Sequence, residues 1–173
     1  GDLTHEQFID QLIRVNQAGE YGAKRIYQGQ MAVLKNSPAY ETIKHMAEQE
    51  EAHLQYFSDE IGKRKARPTA MMPVWHVGAF AMGAVTAMLG ERAAMACTVA
   101  VEEVIDEHYK EQLAALGDDE AELKEKIKQF RDEELEHRDI GLENYAEDAV
   151  GYPLLKAAVG AATRLAIAVS KVV

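Results

Sequence analysis

The sequence predicts an all-α fold, a four-helix bundle with additional apolar and amphipathic helices, about six helices in total. Three observations carry this. Helix-start and helix-stop signals recur along the 173 residues, while strand alternation, a phosphate loop and low-complexity tracts are absent. Apolar residues at 47% and charged residues at 28% suit one folded domain with a substantial core, spanning residues 1–173. Finally, one pattern occurs twice: a lone Glu, then Glu-x-x-His. The copies are Glu20 with Glu50 and His53 (50 − 20 = 30), and Glu102 with Glu134 and His137 (134 − 102 = 32). Their midpoints fall in the turn sequences Lys35-Asn36-Ser37-Pro38 and Gly117-Asp118-Asp119, so each copy reads as a helical hairpin whose two arms bring the acids level.

Thr4-His5-Glu6-Gln7 fits a capping box and opens a first helix to about Leu34. Gly19, Gly22 and Gly29 interrupt it and read as contact points for a neighbouring helix. Ser37 as N-cap and Pro38 in the first turn open a second helix to about Ile61, followed by a basic linker from Gly62 to Pro68. The apolar segment at about 68–90 contains a run from Met71 to Leu89 in which His76 is the sole ionisable group. Its length sits at the edge of the transmembrane range, and Pro73, Gly78 and Gly83 favour an interfacial or partly buried helix. Glu91 to about Leu116 forms the next helix. Asp118 or Asp119 caps another, which fades near Asn144, and an amphipathic helix follows at about 153–173, with Pro153 at its start. On that last helix Lys156, Arg164 and Lys171 form a basic stripe, while Leu155, Val159, Ala162, Ala166 and Val169 populate other faces. Met31, Met46, Met82, Met88 and Met95 are read as core filler.

Charge narrows the function classes. A net charge of −10 argues against nucleic acid as a partner. Yet no Asp or Glu lies between Glu60 and Glu91, and none follows Asp148, although both stretches carry Lys and Arg. Basic, apolar segments in an acidic protein point to a side that meets a membrane surface. The single Cys97 allows no intrachain disulfide and suits a reducing compartment; the polar, acidic start of the chain gives no expectation of a cleavable secretion signal.

One Glu-x-x-His on a helix is weak evidence, since Glu and His are common on solvated faces. Two copies, each matched to a lone Glu at hairpin distance, point instead to the dinuclear carboxylate site of a ferritin-like bundle. Glu102 follows the apolar run Cys97 to Val101, where a carboxylate is costly unless paired or metal-bound. Carboxylates with imidazole suit iron or manganese, whereas zinc takes more His or Cys. The spacing selects Glu50 over Glu51, Glu102 over Glu103, and Glu134 over Glu133 and Glu136. On the Glu102 face, Asp106 is a candidate to hold a ligand His, and Tyr109 to sit at the substrate mouth. Arg131 is placed to offset the acidic core; His76 and His108 are read as non-ligands.

The stretches Arg14 to Gly22, Glu50 to His53, Ala94 to Glu103 and Phe130 to His137 resemble the demethoxyubiquinone hydroxylase family of ubiquinone biosynthesis, a likeness that covers nearly the whole chain. The resemblance implies a di-iron monooxygenase, peripheral to the membrane, that hydroxylates the ring of a demethoxylated ubiquinone precursor in the penultimate step. It implies two iron ions on Glu20, Glu50, His53, Glu102, Glu134 and His137, and a His108-Tyr109 pair that assists electron transfer. It further implies NADH as electron source, a lipid-binding accessory partner in eukaryotes, and a place on the matrix side of the mitochondrial inner membrane or the cytoplasmic side of a bacterial one. The rivals are a membrane di-iron quinol oxidase, which leaves the ring without new oxygen, and a ferritin-like iron-storage or ferroxidase protein, against which the basic apolar flank argues.

Overall fold

The computed structural model describes residues 2–173; Gly1 lies outside them. Six α-helices and no strand occur among the described residues, as the ferritin-like expectation requires: α1 (His5–Val33), α2 (Tyr40–Arg64), α3 (Met72–Met88), α4 (Glu91–Ala115), α5 (Ala121–Glu143) and α6 (Tyr152–Val172). They form two compact units. The first holds the residues up to Leu89 together with Arg164–Val173; the second is Gly90–Thr163.

In the first unit, α1 and α2 form a hairpin and α3 lies along α1. The capping box at Thr4 is present: its hydroxyl accepts from the Gln7 N–H at 3.2 Å, and the Gln7 side chain accepts from the Thr4 N–H at 3.0 Å. Thr4→Ala is expected to destabilise the protein by about 1 kcal/mol, read as a lower thermal midpoint with unchanged helix content.

Both ends of α2 differ from the expectation. Ser37 Oγ accepts from the Ala39 N–H at 3.0 Å and the Ser37 carbonyl accepts from the Tyr40 N–H at 3.1 Å, so Ser37 and Pro38 build a separate turn and the helix starts at Tyr40. Gly62 does not stop it. The helix runs through to Arg64 and closes with Lys65 in the left-handed region at φ 55°, its N–H bonded to the Gly62 carbonyl and that of Ala66 to the Ile61 carbonyl. This is the paired closure usually built on glycine, and here it is built on lysine.

Of the three α1 glycines, only Gly29 is a contact point. A Cβ there would run into the Phe80 carbonyl oxygen and lie 2.8 Å from the Ala84 nitrogen; reciprocally, a Cβ on Gly83 of α3 would run into the Ile26 carbonyl. At Gly19 and Gly22 a Cβ would meet open space.

In the second unit α4 and α5 form the other hairpin. Gly141 lets α5 approach α4 at Val99 and Met95. Asp118 and Asp119 do not cap α5. They sit in a 3₁₀ turn, Asp118–Glu120, that precedes it, and no side-chain cap is present. Met46 and Met95 are core residues as expected, but Met88 is 73% exposed on α3.

On α6 the residues at Leu155, Val159, Ala162, Ala166 and Val169 face inward or are half-buried. The exposed face is apolar: Leu154, Ala157, Ala158, Ala161, Leu165, Ala168 and Val172. Arg164 and Lys171 run along one edge of it, whereas half-buried Lys156 lies on the inward side, so the three do not form one stripe. α6 is long and apolar enough to cross a membrane, with 17% of its apolar window buried, whereas α3 is shorter than that. Polar bonds hold both ends of α6. Lys156 Nζ pairs with Glu103 at 2.8 Å, and the Lys171 carbonyl accepts from Gln11 and Arg14 at 3.3 and 3.0 Å.

Candidate metal centre

Each hairpin places one copy of the duplicated pattern inside its unit. In the first, the 3.6-residue period turns Glu50 and His53 to one face of α2, towards Glu20 on α1. His53 Nδ1 lies 3.3 Å from Glu20 Oε2 and 3.6 Å from Glu50 Oε2. In the second, His137 Nδ1 lies 3.6 Å from Glu102 Oε1 and 3.3 Å from Glu134 Oε2. In each triad the three potential ligand atoms lie within 4.8 Å of one another. All six side chains are at most 1% exposed. The competing acids point elsewhere: Glu51 pairs with Lys24 at 2.5 Å, Glu103 pairs with Lys156, Glu133 is half-buried and Glu136 is exposed.

Four carboxylates placed out of water beside two imidazoles are a costly arrangement without positive charge. Burial, then the neighbouring charge and hydrogen bond of Glu134, push the Glu102 carboxyl up to about 8; His137 pulls the other way. Without metal, Glu102 therefore holds its proton at neutral pH. The folded-state pKa is raised, so this group's contribution to stability is complete below its ordinary value of 4.5 and is lost as pH rises through about 8. The metal-free protein should accordingly melt at progressively lower temperature from pH 5 to pH 8. A bound cation takes the place of that proton, so metal loading should flatten the slope. Differential scanning calorimetry with and without chelator reads both. The donor set of oxygens and imidazole nitrogens fits iron or manganese.

Around the triads, Asp106 does not hold a ligand histidine. Its Oδ1 accepts from Arg131 Nε at 2.6 Å, a bond that ties α4 to α5 near the surface and takes up the Arg131 charge. Tyr109 is buried, 1% exposed, and its ring centroid is 6.5 Å from that of half-buried His108. Gln112 Nε2 lies 2.7 Å from His108 Nε2. His76 is exposed on α3, hydrogen-bonded to the Tyr21 hydroxyl, and its carbonyl accepts from Arg25 Nε at 2.9 Å.

The duplication extends beyond the Glu and Glu-x-x-His residues. Tyr27 stands at the same offset from Glu20 as Tyr109 from Glu102 (27 − 20 = 109 − 102 = 7), and Gln30 matches Gln112 (30 − 20 = 112 − 102 = 10). Asn16 and Thr98 both precede their Glu by four. All six are buried. The signal was available by aligning the two Glu residues and comparing offsets.

Comparison with known proteins gives a consistent result. The family described as ubiquinone biosynthesis protein COQ7 matches residues 7–170. A 3-demethoxyubiquinol 3-hydroxylase of Rhodospirillum rubrum is 55% identical over 172 residues, covering 99% of this chain and 81% of that protein. An NADPH-dependent 3-demethoxyubiquinone 3-hydroxylase, mitochondrial, of Rattus norvegicus is 52% identical over 174 residues, covering 98% of this chain and 80% of that protein. The 5-demethoxyubiquinone hydroxylase, mitochondrial, of Saccharomyces cerevisiae is 40% identical over 177 residues, covering 92% and 76%.

Proposed function

We propose that this chain, which belongs to the ubiquinone biosynthesis protein COQ7 family, is a hydroxylase that adds one oxygen atom of O₂ to the ring of a demethoxyubiquinone-type quinone. The observation that carries the proposal is the pair of buried Glu, Glu, His triads with matching internal distances. Glu20, Glu50 and His53 of the first unit and Glu102, Glu134 and His137 of the second would hold two iron ions, which would supply the redox chemistry that activates O₂. The protein's part is to keep the four carboxylates dry and fixed. Tyr109 and His108 form the polar route for protons and electrons beside the metals, with Gln112 holding the His108 ring. Burial of Tyr109 restricts its hydroxyl to partners inside the protein.

Electrons come from a reduced nicotinamide, NADH on the sequence reading and NADPH by the printed name of the rat relative. Rates measured with each donor decide between them. The exposed apolar faces of α3 and α6 support a peripheral position on a membrane, the mitochondrial inner membrane on its matrix side or a bacterial inner membrane on its cytoplasmic side. There the isoprenoid tail of the substrate remains in lipid. In eukaryotes a lipid-binding accessory protein would deliver the substrate.

The test is a mass spectrum of the quinone after incubating iron-loaded protein with a demethoxyubiquinone analogue, reduced nicotinamide and labelled O₂. One labelled oxygen on the ring is the expected outcome. Oxygen consumed with the ring unchanged would replace the proposal by a quinol oxidase or a ferroxidase.

A further inference from the structure

We propose that the corner of the first unit where the α2–α3 linker meets the end of α6 is a docking surface for bilayers that carry anionic headgroups. The proposal rests on the membrane-surface assignment above and deepens it by naming the lipid charge.

The two acid-free segments of the chain are separated by the whole of α4 and α5, yet they are tied together here. Arg14 Nε donates to the Arg67 carbonyl and its terminal nitrogen to the Lys171 carbonyl, both at 3.0 Å. Thr69 Oγ1 donates to the Val173 carbonyl at 2.6 Å, and Trp75 Nε1 to Ser170 Oγ at 3.0 Å. The carbonyls at the end of α6 are thereby satisfied by side chains of α1 and the linker, and Arg67 of one segment is brought to Lys171 of the other.

Their charges are unequally matched. Glu60 takes Arg64 at 2.9 Å and Lys63 at 3.5 Å. Lys65, Arg67 and Lys171 have no ion-pair partner among the described residues. Asp10 is the acid that faces Arg14; against it, burial and then the nearby Arg67 charge hold the Arg14 guanidinium below its ordinary value. Lys65 keeps a left-handed backbone at φ 55°, where glycine would be less strained. The fold therefore holds a cation where ease of folding favours a residue with no charge.

Exposed apolar side chains flank these cations: Val74 and Val77 on α3, at 50% and 66%, and Leu165 and Val172 on α6, at 64% and 77%. Cations bordering exposed apolar surface are what a helix lying in a headgroup layer presents. An acidic protein segment would match the charge but would leave Val85 and Met88, further along the same face of α3, in water.

The experiment is flotation of the full chain with vesicles of phosphatidylcholine alone and of phosphatidylcholine with phosphatidylglycerol. Binding should favour the anionic vesicles and weaken with salt. Each basic residue near such a surface is worth about five-fold, so the triple variant Lys65→Gly, Arg67→Gln, Lys171→Gln should lose about 100-fold on anionic vesicles and little on neutral ones. Lys65→Gly suits the left-handed position, so folding is retained. A second variant, Val77→Ser with Leu165→Ser, should lose binding to both vesicle types. Equal wild-type partition into the two vesicles, or wild-type binding by the triple variant, would overturn the proposal while leaving the membrane surface standing. No binding to either vesicle would remove the membrane assignment itself. Capture by polyglutamate with no preference between vesicles would transfer the corner to an acidic protein partner.

Discussion

Glu102→Leu is expected to abolish quinone hydroxylation and at the same time raise the melting temperature of the metal-free protein. The two effects share one cause. Glu102 is fully buried among Glu134 and His137, and burial with the Glu134 charge holds its carboxyl at about 8. Leucine at this position removes the cost of burying the carboxyl beside Glu134 and relieves Glu134 of a like charge, so a rise in stability is expected as long as the loss of the His137 contact is the smaller effect. The gain should be largest above pH 8, where the wild-type carboxyl must ionise without a cation beside it. The cost appears in metal content. Loss of a group that merely supports a ligand typically weakens metal binding about 10–100-fold, and a ligand lost outright should exceed that. Calorimetry with chelator, iron analysis and the labelled-oxygen assay read the three effects separately. A variant that is less stable without metal, yet turns over normally, would remove Glu102 from the ligand set.

Gly83→Ala should be more damaging than the same change at Gly19, Gly22 or Gly29 of the helix it packs against. Its Cβ would sit on the Ile26 carbonyl, 2.7 Å from the carbonyl carbon and 3.0 Å from the Ile26 Cα. All three are backbone atoms of α1 and cannot move aside as a side-chain tip does, so α3 has to shift away from α1. Overpacking of this kind costs about 3 kcal/mol, equivalent to a fall of roughly 6–12 °C in melting temperature for a domain of this size. Gly22→Ala, on the same helix pair, is the control. Its Cβ meets open space, and the better helix propensity of alanine should raise stability by up to about 1 kcal/mol. Both are read by thermal melts, and protease cleavage within α3 should accelerate in Gly83→Ala alone.

Several features were legible in the residues because they depend on short-range periodicity. The Thr4 capping box, the six helices, and the facing of Glu50 with His53 and of Glu134 with His137 all follow from helical spacing. The hairpin arithmetic brought Glu20 to His53 and Glu102 to His137 because turn sequences stood midway between them. Where local signals competed, the outcome went otherwise. Ser37 had a cap's chemistry but spent its hydroxyl on Ala39, and Gly62 had a stop's chemistry while Lys65 took the left-handed position. Asp106 had the right phase to reach a histidine and paired with Arg131 from the next helix.

The sequence by itself determined the all-α fold, the two triads and the segregation of acids away from two apolar segments. Those properties are written in residue type and in the 3.6-residue period, which any folded form of the chain must obey. Only the tertiary structure decided which glycine is a contact, which face of α6 remains exposed, and that Arg14 joins Arg67 to Lys171. Each of these depends on how one helix is rotated and slid against another. That choice is made by the fit of many side chains at once, between positions far apart in the chain, and no local pattern encodes it.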